Sequence, residues 1–137
     1  MLAIAASILI AATAIAWWVI RSKDEVQVAQ TTVVDLRNRS IARGPEAAPN
    51  EPPLEIRRTT SRLDIFLPLG SSEGSYEVRI VTDSGDMVAT GAGTAKLSNQ
   101  ITSLQVPLNI SSAHPGTYLL QVRRDALEWN SYPLILR

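Results

Sequence analysis

The 137-residue sequence predicts an all-β, antiparallel sandwich behind a single N-terminal transmembrane helix. Eighteen of the first 20 residues are apolar and none is charged, so all 13 basic and 13 acidic residues fall after Ile20. Beyond that point apolar residues recur at every second position, in runs closed by turn-forming residues about every 8–12 positions, the pattern of strands with one wet and one dry face. No stretch after Ile20 keeps a helical period over three turns.

Residues 1–20 (MLAIAASILIAATAIAWWVI) are long enough, at about 1.5 Å per residue, to cross a hydrocarbon core of ~30 Å. Trp17 and Trp18, followed by Arg21 and Lys23, read as the membrane interface. A cleaved signal peptide is the competing reading, because Ala14-Ile15-Ala16 fits the small-x-small rule. The missing basic n-region and the length of the apolar run favour the anchor. Orientation stays open: the cations follow the helix, which by the positive-inside rule places the rest in the cytoplasm, unless an upstream cytoplasmic part supplies further charge.

Residues 21–43 read as a juxtamembrane segment and a first strand, with Val26, Val28, Val34 and Leu36 on one parity. Residues 44–53 (GPEAAPNEPP) hold four of the eight prolines and read as an extended connector. Residues 54–137 read as the sandwich. Leu63, Ile65, Leu67 and Leu69 share one face and stop at Gly70-Ser71-Ser72. Tyr76, Val78 and Ile80 share the next and stop at Asp83-Ser84-Gly85-Asp86. Met87–Thr90 reads as a short return leading to a break, bulge or sheet switch at Gly91-Ala92-Gly93. Leu104 to Ile110, Tyr118 to Val122 and Tyr132 to Leu136 complete the set, with Pro107 and Pro133 expected at edges or bulges.

The run from Leu108 to Val122, with Pro115-Gly116-Thr117-Tyr118 at its centre, resembles the corner before the penultimate strand of immunoglobulin-like and fibronectin-III-like sandwiches. The resemblance implies an immunoglobulin-like fold in which Gly116 frees the backbone and the Tyr118 hydroxyl bonds back to the preceding loop. It implies no activity. The wider arrangement is an apolar helix, a basic pair, the Val33–Ser40 strand, a proline-rich connector and a sandwich. It resembles the C-terminal half of membrane-anchored bacterial regulators of the anti-sigma type. With no Cys and one His, the zinc site of that family's cytoplasmic domain is not carried over.

The chemistry-bearing inventory is thin. His114 is the only histidine and lies in the corner loop without the context of a catalytic triad, so no catalytic residue is assigned. Asp83 and Asp86 lack the ligand set of a calcium loop, and Gly91-Ala92-Gly93 lacks the Lys and helix of a phosphate loop, so neither a metal nor a cofactor is assigned. Arg57-Arg58 and Arg123-Arg124 read as solvated charges, and Trp129 as a cap on one end of the core. Asn38-Arg39-Ser40 and Asn109-Ile110-Ser111 match the glycosylation sequon. Balanced charge over the last 117 residues argues against nucleic acid as a partner.

These readings point to a non-enzymatic, single-pass protein of the inner (cytoplasmic) membrane, its sandwich extracytoplasmic, serving interaction or sensing. The lipid bilayer and a protein of unknown identity are the expected partners, with no small-molecule substrate evident. A structural subunit of a larger membrane complex and a secreted sandwich are the alternatives.

Overall fold

The structure, a computed structural model, describes residues 30–43 and 51–137. Nine strands occur there: β1 Gln30–Asp35, β2 Ala42–Arg43, β3 Leu54–Ile56, β4 Thr60–Phe66, β5 Gly74–Val81, β6 Met87–Ser98, β7 Ile101–Pro107, β8 Gly116–Arg124 and β9 Asn130–Leu136. They pair along one path, β1-β4-β7-β6-β5-β8-β9-β2, with β3 also paired to β9. The path ends at β1 on one side and, on the other, at the edge of β9, which β2 and β3 flank along different parts of its length; a groove separates β1 from β3. The sheet is thus a nearly closed, barrel-like wall.

This corrects the immunoglobulin-like, wholly antiparallel sandwich expected from the sequence. The β1–β4 and β3–β9 pairs are parallel. Alternation reports that each strand buries one face; it does not report whether two sheets stack or one sheet curls on itself. The chain after Ile20 is otherwise all-β where described. No described helix is long and apolar enough to cross a membrane. The expected transmembrane helix at residues 1–20, and with it Trp17, Trp18, Arg21 and Lys23, lies outside the described residues. So do Gly44–Asn50 of the connector.

The curl is made by β6. Instead of a short return ending at Thr90, it runs 12 residues, pairing with β5 up to Ala95 and with β7 from Lys96 to Ser98. Gly91 and Gly93 lie where the far half of β7 crosses its inner side. A Cβ on Gly91 would collide with the Pro107 carbonyl oxygen and come within 2.6 Å of Val106 Cγ1, and one on Gly93 would collide with the Gln105 carbonyl oxygen. Backbone packs on backbone at this corner, and only glycine leaves the room.

Pro107 fits the same geometry. Its carbonyl points toward β6, and in a strand the N–H and C=O of a residue share one edge. The β6–β7 ladder ends at Ser103, so the amide that proline lacks has no partner to lose. Pro133 falls between the part of β9 paired to β2 and the part paired to β3.

The strand registers place the loops at two ends. Gln30, the Arg57–Thr59 turn, the β5–β6 hairpin, the β7–β8 loop and Arg137 form the base. The β4–β5 loop, the β6–β7 and β8–β9 hairpins and residues 36–41 form the rim. Between them the core is filled by Leu36, Leu63, Ile65, Val78, Ile80, Leu104, Val106, Leu120 and Leu134, all fully buried.

Candidate functional site

The tyrosine corner forms at the base. The buried Tyr118 hydroxyl donates to the His114 carbonyl oxygen at 2.8 Å, while Pro115 and Gly116 turn the chain into β8, Gly116 at φ 156°. A second corner, not anticipated from the sequence, stands at the rim. The buried Tyr76 hydroxyl donates to the Ser72 carbonyl oxygen at 2.8 Å, with Gly74 at φ 138° two residues before the tyrosine. His114-Pro115-Gly116-Thr117-Tyr118 and Ser72-Glu73-Gly74-Ser75-Tyr76 share the spacing Gly-x-Tyr with a bond to the carbonyl four residues back. That spacing was the available signal. Because β5 and β8 are antiparallel neighbours, the corners brace opposite ends of the wall.

Both basic pairs are split by strand geometry or by the turn. Arg123 faces outward and pairs with Glu77. Arg124 faces the rim, where its side chain lies over Gly74. Trp129 does not cap the core: it lies on the outer face, its ring 4.0 Å from the Arg79 guanidinium and 4.4 Å from that of Arg123. Beneath it, Arg79 Nε donates to Gln121 Oε1 at 2.6 Å and Gln121 Nε2 donates to Ser131 Oγ at 2.9 Å. This ladder covers β5, β8 and β9 with satisfied polar groups, so the outer face is closed rather than receptive.

The rim is different. Among the described residues six large hydrophobic side chains are exposed, and four of them, Ile41, Leu69, Leu97 and Leu127, at 50–68% exposure, belong to rim segments. Ile41 and Leu127 flank a cleft of about 390 Å³ whose deeper wall includes Leu67, Tyr76, Val122 and Tyr132. Burial pushes the Tyr132 phenol up to about 12 and raises that of Tyr76, so both stay neutral donors at physiological pH. Apolar area displayed around a concave mouth, with Ser71, Arg124, Glu128 and Asn130 as the polar groups of its wall, is the arrangement of a binding surface. The sequence did not mark it, because these four side chains come from segments up to 86 positions apart.

The remaining chemistry-bearing residues are not brought together. His114 is exposed at the base, and Asp83 and Asp86 lie exposed in the β5–β6 hairpin, where Thr82 Oγ1 accepts from the Asp86 amide at 3.1 Å. No group of three or more His, Cys, Asp or Glu suited to a metal ion occurs among the described residues. No protein-family model, curated protein or solved structure matches the chain.

Proposed function

We propose that this chain is a non-enzymatic, membrane-tethered protein, held by the apolar residues 1–20 and presenting its barrel-like domain as an interaction module whose contact surface is the rim cleft. One observation carries the reading. The chain from the apolar segment joins the domain at Gln30 in the base, whereas four of the six exposed large apolar residues gather at the opposite end. A domain tethered at its base holds that end away from the bilayer, where a protein can reach it. The same arrangement is compatible with the resemblance to anti-sigma-type regulators and does not require it.

In this reading the domain is extracytoplasmic. Protease added to right-side-out vesicles then degrades it, and a protected domain reverses the orientation. The interaction is tested with a photo-crosslinking residue placed at Leu97 or Leu127, and at Met87 in the base as control, with the full chain in native membranes. Discrete protein adducts from the rim positions alone, lost in Leu69→Asp, are expected. Equal labelling from Met87, or none from the rim, removes the rim as the contact surface.

A further inference from the structure

The zero net charge of the sequence hides a segregation that only the fold creates. Arg57, Arg58, Arg62 and Arg137 lie in the segments on the side of the base where β1 and β3 leave the wall open, and of these Arg57 and Arg137, with Glu55, line the opening itself. The opposite side of the base is the β5–β6 hairpin, which carries Asp83 and Asp86 and no cation. The seam between β1 and β3 is a groove of about 680 Å³ with Gln30, Thr31 and Thr32 on one wall and Glu55, Arg57 and Arg137 on the other.

Its donors differ in availability. Arg137 is held by Glu55 at 2.7 Å, whereas Arg58, which does not line the groove, donates from Nη1 to the Ala113 carbonyl oxygen at 3.2 Å. Arg57 has no ion-pair partner among the described residues and is exposed. β1 is paired only to β4, so its outer edge offers unpaired amides along the groove. The unpaired planar guanidinium of Arg57, a threonine hydroxyl and edge amides around one slot are donors suited to a phosphate.

The place of the slot selects the source of that phosphate. Nine residues, Arg21 to Ala29, separate the apolar segment from Gln30, a span of at most ~30 Å when fully extended. The groove therefore opens at the end of the domain nearest the bilayer. We propose that the β1–β3 seam receives the phosphate headgroup of an anionic phospholipid, seating the domain base-down on the membrane and pointing the rim away from it. The proposal rests on the membrane-tethered reading above.

The test uses the full chain, which contains no cysteine, reconstituted in vesicles of phosphatidylcholine alone or with phosphatidylglycerol. Energy transfer to a headgroup dye is read from a label on S61C near the seam or on S98C at the rim. Transfer from S61C should rise in anionic vesicles and fall back in high salt, while S98C stays low. Arg57→Gln/Arg137→Gln should lower the ratio of base-down to free domain at least about fivefold, since each arginine near an anionic surface is worth about that factor. An unchanged thermal midpoint shows that this variant is folded. Equal transfer from S61C in both vesicles, or a gain that the double variant keeps, overturns the proposal. Thermal stabilisation by inorganic phosphate without any gain in anionic vesicles assigns the groove to a soluble phosphate and overturns the lipid assignment. Failure of the chain to float with either vesicle after a carbonate wash refutes the tether itself, and the lipid seat with it.

Discussion

At the scale of single residues, the two tyrosine corners provide matched tests of one device. Each hydroxyl makes one bond to a loop carbonyl oxygen, Tyr118 to His114 and Tyr76 to Ser72, both at 2.8 Å. Removing the donor leaves the ring in place and costs the bond, so Tyr118→Phe and Tyr76→Phe should each lower stability by about 1–2 kcal/mol in urea denaturation. Because the corners lie at opposite ends, the double variant should lose the sum; a neutral single variant shows that its corner does not hold the loop. Tyr132 gives a pH dependence. Its phenol is pushed up to about 12 by burial, above the ordinary tyrosine value of about 10. A raised folded-state pKa leaves stability intact below about pH 10 and lost as pH rises toward 12, because the unfolded chain releases its proton first. The full loss is about 2–3 kcal/mol. Tyr132→Phe should flatten the alkaline limb of the stability profile between pH 10 and 12, and an unchanged limb would place its origin elsewhere.

Among the elements, β6 decides the architecture. The Gly91 and Gly93 sites have no room for a methyl group, and the obstacle is β7 backbone rather than a flexible side chain. Gly91→Ala and Gly93→Ala should each cost about 1–3 kcal/mol, or more where β7 cannot yield, whereas Ala92→Ser on the exposed side should cost little. Equilibrium denaturation separates these outcomes, and a well-tolerated Gly93→Ala would contradict the close approach. The same strand shows what the sequence discloses and what it conceals. The main strands from β4 onward were visible from their alternation, because Leu63, Ile65, Val78, Ile80, Leu104 and Val106 must all face one interior. The 12-residue length of β6 was concealed, since Gly91 and Gly93 read locally as a break while in the fold they let the strand continue past β7. β2 and β3, with two and three residues, carry too little periodicity to be seen. The rim was equally hidden: an isolated exposed Leu is ordinary, and only the registers bring four such residues to one end.

On the scale of the whole molecule, the closing strands come from either side of the connector. The sequence divides at residues 44–53, yet β1, which precedes them, pairs in parallel with β4 over its whole length, and the Leu36 amide donates to the Phe66 carbonyl oxygen at 2.8 Å. Leu36 is fully buried in the same core as Leu134 of β9, near the other end of the sheet path. A wall whose two ends share one core gains little from closing halfway, so the domain should unfold as one unit rather than shedding the segment before the connector first. Leu36→Ala and Leu134→Ala should each cost about 2–5 kcal/mol through the cavity left behind, and both should shift a single transition. Far-UV circular dichroism and amide exchange in β1 should report the same midpoint. If Leu36→Ala frees β1 amides at a denaturant concentration where β8 and β9 remain protected, β1 is a detachable strap and the seam beside it opens without unfolding the core.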